Sequence, residues 1–120
     1  MATIELTTDN FKQTIAEHDI VIIDFWADWC APCRSFAPTF EAASEKHPDI
    51  AFAKVNTEVQ QELAGAFNIR SIPTLMVFRE QIILYAEAGA LPPAAFDQML
   101  EQVQSLDMEQ VRKDIAAQSE

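Results

Sequence analysis

Seven residues, Ile20-Val21-Ile22-Ile23-Asp24-Phe25-Trp26, are followed after three more by two cysteines spaced as Cys30-Ala31-Pro32-Cys33. The first run is nearly continuous in β-branched and aromatic side chains. Such a run suits a strand covered on both faces, in the middle of a sheet with helices on either side. A helix-forming stretch over residues 34–46 comes directly after it, with Phe36, Phe40 and Ala43 on one face and Pro38 inside. Proline there removes one backbone hydrogen bond and predicts a kink. Strand, cysteine pair and helix together make the start of an α/β fold.

The rest of the chain completes that pattern. Residues 3–6 read as a short edge strand, and Thr7, Thr8 and Asp9 offer capping side chains for a helix over Phe11, Ile15 and Ala16. His47-Pro48-Asp49 is a break before a second buried strand at 50–56. Thr57 is placed to cap a short helix through Leu63 and Ala66, and residues 65–72 form a loop before Pro73. Two alternating stretches, 74–79 and 82–87, flank Glu80-Gln81 and predict an antiparallel hairpin ended by Gly89. Pro92 and Pro93 open a helix carrying Phe96, Met99, Leu100 and Val103. Beyond it, residues 107–118 again have helical spacing, with Asp107 and Gln110 at capping-box positions and Met108, Val111 and Ile115 on one face. A helix this short is marginal alone in water, so that face is expected to fold back on the same domain, away from the cysteines. With 120 residues and no linker or repeat, one domain is expected: 1–105, with 106–120 as its C-terminal helical extension.

The bulk numbers exclude several classes of function. Net charge is −11, a field that repels phosphate backbones and anionic headgroups, so neither nucleic acid nor a membrane is an expected partner. No apolar stretch is long enough to span a bilayer, and the first nine residues lack a secretory signal pattern. Cys30 and Cys33 are the only cysteines, which leaves none for a structural disulfide and points to a reducing cytoplasm.

Two cysteines three apart at a helix start lie within disulfide reach. The first meets unpaired backbone N–H groups and the positive end of the helix dipole, which favour its thiolate. Pro32 fits the first turn, where its missing N–H has no helical acceptor. Cys30 is thus the better nucleophile, and Cys33 is placed to attack the mixed disulfide that Cys30 forms. The same spacing also serves as half of a zinc site, but a closed site takes four ligands. No other cysteine exists, and His18 and His47 fall at separate helix ends, so no metal is expected. Asp24 is a lone carboxylate in a buried strand, where its pKa should rise. It is either a proton acceptor for Cys33 or a structural partner of Lys54.

From Val21 through Arg34 the sequence resembles the active-site signature of the thioredoxin family. The similarity continues at Pro38, at Ala53-Lys54-Val55-Asn56 and at Ile69-Arg70-Ser71-Ile72-Pro73-Thr74-Leu75, and ends near Gly89. The resemblance implies a central mixed five-stranded sheet flanked by four helices, to which residues 106–120 add an extra short helix. It implies Cys30 as attacking thiolate, Cys33 as resolving thiol, and Asp24 with Lys54 assisting proton transfer. Pro73 matches the family's cis-proline, and the Ile72 backbone would pair with an extended substrate segment. Trp29, Ala31, Pro32, Pro73 and Gly89 would line that groove.

The implied activity is reduction of protein disulfides by a monomer that holds no bound cofactor. An NADPH-dependent flavoprotein, thioredoxin reductase, would recycle it. Three departures from the family pattern stand out: Ala31 and Ser71 where glycine is usual, and Glu80-Gln81 where Asn-Gly is usual. Ala31 removes flexibility where a partner approaches, and the redox poise depends on that intervening pair. An oxidase or isomerase, and a holdase or assembly module in which the dithiol is secondary, are the competing readings.

Overall fold

The computed structural model describes residues 2–118, so Met1 and the last two residues of the predicted extension lie outside the described residues. Five strands, β1 (Thr3–Glu5), β2 (Ile20–Trp26), β3 (Ala51–Asn56), β4 (Thr74–Arg79) and β5 (Ile82–Ala88), form one sheet in the order β1-β3-β2-β4-β5. β1, β3 and β2 run parallel, while β4 pairs antiparallel with both β2 and β5. Five helices complete the fold: α1 (Phe11–Glu17), α2 (Ala31–Lys46), α3 (Gln61–Ala66), α4 (Pro93–Ser105) and α5 (Met108–Gln118). This is the mixed five-stranded sheet that the resemblance implies, with the additional C-terminal helix expected from the sequence.

Strand alternation sorts the core into two layers. Ile20 and Ile22 of β2 pack with Phe36 and Phe40 of α2, Phe52 of β3, and Phe96, Leu100 and Val103 of α4. Val21, Ile23 and Phe25 point the other way, against Leu6, Ile15, Val55 and Leu63. β2 is therefore buried on both sides, which is why its sequence lacks polar alternation. Asp24 continues the Ile20–Ile22 face, so it lies in the layer that α2 covers.

Several local expectations are corrected. Thr57 does not cap α3: its hydroxyl donates to the Trp26 carbonyl at 3.0 Å, and the cap position is Gln60. At α1 the cap position is Asn10, not the preceding Thr7, Thr8 or Asp9. The Asn10 amide oxygen accepts instead from the Thr7 N–H at 2.7 Å, closing the turn before the helix. α2 opens at Ala31 rather than residue 34, because Pro32 supplies the helical φ of a first turn. Pro38 sits inside α2 as expected.

The end of the sheet remote from the cysteines is held by Arg79. Its guanidinium donates to the carbonyls of Val103 (2.7 Å) and Leu106 (3.1 Å), satisfying the C-terminus of α4, and lies near Asp19. Glu80 and Gln81 both take left-handed φ, 52° and 67°, the geometry of a two-residue hairpin turn. Glu80 pairs with Arg112 of α5, Met108 is buried, and Asp107 caps the helix by accepting from the Gln110 N–H at 3.2 Å. The tail thus packs on its own hairpin.

Candidate active site

β2 ends at Trp26 and α2 begins at Ala31, and the intervening loop delivers the cysteine pair to the carboxyl end of the parallel strands. Cys30 occupies the N-cap position of α2. Its Sγ accepts from the Cys33 backbone N–H at 3.2 Å, one of the donors that a helix start leaves unpaired. The same N–H group and the helix dipole stabilise negative charge on Cys30 Sγ when the pair is reduced. Here the two cysteines are joined as a disulfide, with Cα atoms 5.2 Å apart. Both sulfur-bearing residues are largely buried, while Ala31 and Pro32 between them are exposed.

The second wall comes from the start of β4. Ile72–Pro73 is a cis peptide, and the Ile72 carbonyl oxygen lies 3.6 Å from Cys30 Sγ. The Pro73 carbonyl accepts from the Gly89 N–H at 2.7 Å, which ties the end of β5 to this corner. Gly89 has φ +111°, a conformation that favours glycine. Trp29 stands at the mouth, 67% exposed. The structure therefore brings Trp29, Ala31, Pro32, Ile72, Pro73 and Gly89 to the same end of the sheet as Cys30.

Asp24 lies beneath. It is 1% exposed, and neither carboxylate oxygen has a hydrogen-bond partner. Burial pushes its pKa from the ordinary 3.8 to about 7, against an opposing pull from Lys54. Lys54 is Asp24's neighbour across the β2–β3 ladder. Its ammonium lies 4.7 Å over the Trp26 ring and forms no hydrogen bond to the carboxylate.

His18 and His47 end α1 and α2 respectively, and no cluster of three metal-ligating side chains occurs among the described residues. No helix among those residues is long and apolar enough to cross a membrane.

Two contacts were not legible in the sequence. The Trp29 indole N–H donates to Glu58 Oε1 at 2.5 Å, and Arg34 donates to the Asp28 carbonyl at 2.6 Å. Trp29 and Glu58 are 29 positions apart on separate loops, and no local signal links them.

Comparison with known proteins agrees with this geometry. The thioredoxin family profile matches residues 2–102. A protein named putative thioredoxin 2 from Streptomyces coelicolor is 53% identical over 117 residues, covering 98% of this chain and 87% of that protein. Thioredoxin 1 of Nostoc sp. is 40% identical over 102 residues, covering 83% and 95%. Among solved structures, a mutant thioredoxin from Halobacterium salinarum NRC-1 superposes with a TM-score of 0.80. It is 28% identical, with 87% of this chain and 92% of that one covered.

Proposed function

Because this chain belongs to the thioredoxin family and is a thiol–disulfide oxidoreductase, we propose that it works as a reductant of protein disulfides, with Cys30 attacking and Cys33 resolving. The observation that carries this reading is the placement of Cys30 Sγ at the α2 N-cap, beside the Cys33 N–H and the Ile72 carbonyl. Cys30 thiolate attacks one substrate sulfur, the substrate S–S bond breaks, and the departing sulfur takes a proton. Cys33 then loses its proton and attacks Cys30 Sγ. That step forms the Cys30–Cys33 bond and releases the second substrate thiol, so two electrons pass to the substrate. Asp24 accepts the Cys33 proton, and Lys54 holds positive charge near that carboxylate. Trp29, Ala31, Pro32, Ile72, Pro73 and Gly89 form the groove in which an extended substrate segment pairs with the Ile72 backbone.

The oxidised pair is returned to the dithiol by an NADPH-dependent flavoprotein, thioredoxin reductase, in a cytoplasmic setting. Equilibration against a glutathione buffer tests the direction. A potential near about −270 mV fits a reductant, whereas one at about −180 mV or above fits an isomerase or oxidant and sinks the proposal.

Residues 106–120 belong to the same domain as 1–105 and take no part in exchange. The Arg79, Glu80–Arg112 and Met108 contacts at the opposite end of the sheet support this. Deleting residues 106–120 is expected to lower the melting temperature by about 5–10 °C, given the burial lost with one methionine and a helix terminus. Disulfide reduction should stay near the full-length rate. A truncated protein of unchanged melting temperature that turns from dimer to monomer would make the tail an association element.

A further inference from the structure

A large aromatic side chain left two-thirds exposed is free to swing about two torsions, and ordering it on contact with a partner opposes binding. Trp29 is such a side chain, immediately before Cys30, yet it is not free. Its indole N–H is held by Glu58 of the β3–α3 loop. Glu58 is itself presented from an ordered turn. Its N–H donates to Asn56 Oδ1 at 3.0 Å, and its carbonyl accepts from the Gln61 side chain at 3.1 Å. Thr57, next to it, donates both its N–H and its hydroxyl to the Trp26 carbonyl, joining this loop to the end of β2. Trp29 and Glu58 both lie at the surface, and their bond supports no core layer.

We propose that Glu58 is a positioning and specificity residue for the exchange reaction: it fixes the Trp29 indole at the rim of the groove, and its carboxylate favours substrates carrying a cationic side chain beside their disulfide. The indole uses one of the carboxylate's several acceptor sites and leaves the others open to solvent. Asp28, exposed and adjacent to Trp29, adds a second negative charge at the mouth, against the one positive charge of Arg34, whose guanidinium donates to the Asp28 carbonyl. This inference rests on the reading of Trp29, Ile72, Pro73 and Gly89 as the substrate groove.

The test uses three short disulfide-bonded peptides that differ only in a Lys, a Glu or an uncharged residue beside one cysteine. The full chain and its Glu58→Gln and Glu58→Ala variants reduce each peptide. The native protein is expected to show about a threefold higher kcat/KM for the Lys peptide at low salt, shrinking toward equality at about 0.5 M salt. Glu58→Gln keeps an acceptor oxygen for the indole but no charge. It should retain the native KM for an uncharged version of the peptide and lose the Lys-over-Glu preference. Glu58→Ala should lose that preference and also raise KM severalfold for all three peptides with kcat little changed.

With only two tryptophans in the chain, the indole N–H resonances report the bond directly. One is expected to move upfield in Glu58→Ala and to stay near its native position in Glu58→Gln. An unmoved resonance or an unchanged KM in Glu58→Ala, or a full Lys preference in Glu58→Gln, overturns the inference while the groove stands. A native protein that reduces none of the three peptides overturns both.

Discussion

Replacing Cys33 with serine is expected to convert the protein from a catalyst into a trap. Cys30 remains able to attack a substrate disulfide, but the second displacement has no nucleophile, so covalent adducts with substrate accumulate until reduced from outside. Cys30→Ser is expected to abolish turnover without giving adducts. The asymmetry has a structural origin. Cys30 Sγ sits at the helix start, where the Cys33 N–H points at it, and beside the Ile72 carbonyl that lines the proposed groove. Cys33 is the third residue of α2, in its first turn, and its backbone supplies that N–H; burial does not separate the two cysteines, which are 4% and 3% exposed. Non-reducing electrophoresis after mixing with a disulfide-bonded protein distinguishes the two variants. Adducts from Cys30→Ser and none from Cys33→Ser would reverse the assignment.

The second large effect concerns Asp24. The folded protein keeps this carboxyl protonated up to about pH 7, whereas the unfolded chain ionises it near 3.8. Between those values the native state holds one more proton than the unfolded state, so stability falls as pH rises. The slope is about 1.4 kcal/mol per pH unit, and the loss across the window is about 4 kcal/mol. Above pH 7 the fold carries a buried carboxylate with no hydrogen-bond partner. Asp24→Asn removes that charge. The variant is expected to be about 2–3 kcal/mol more stable than the native protein at about pH 8, since the amide still lacks partners, and to show a flatter pH dependence from about 4 to 7.

The same substitution removes the proposed proton acceptor for Cys33. Resolution of a mixed disulfide is expected to slow about ten- to a hundredfold near neutral pH and to lose its inflection near about pH 7. Denaturant unfolding at several pH values measures the first effect, and single-turnover kinetics the second. A variant that gains stability but resolves at the native rate would leave Asp24 a structural residue. These two outcomes separate because folding reads the charge of the carboxyl, while catalysis reads its position.

The sequence by itself determined the scaffold. The Ile20–Trp26 run could satisfy its side chains only as a strand covered on both faces, and Cys30-Ala31-Pro32-Cys33 at the following helix start put both sulfurs within bonding reach. The lone Asp24 in that run was legible as a carboxyl with a raised pKa, because burial of any unpartnered acid has that consequence. So was the tail helix, since Asp107 and Gln110 are local partners and Met108 lies on a defined face.

Only the tertiary structure decided how loops distant in the chain meet. Thr57 reads as a helix cap because capping is a local bond, yet its hydroxyl finds the Trp26 carbonyl, 31 positions away, once β3 lies beside β2. Lys54 reads as a partner of Asp24, and strand register does set them side by side, but the ammonium settles over the Trp26 ring. Glu58 carried no signal at all. Its contact with Trp29 comes from the parallel pairing that carries the end of β3 to the end of β2, where one carboxylate reaches one indole. Periodicity and spacing constrain what a segment buries and what its near neighbours can bond. Contacts between loops follow from strand register and loop path, which are set by the whole sheet at once.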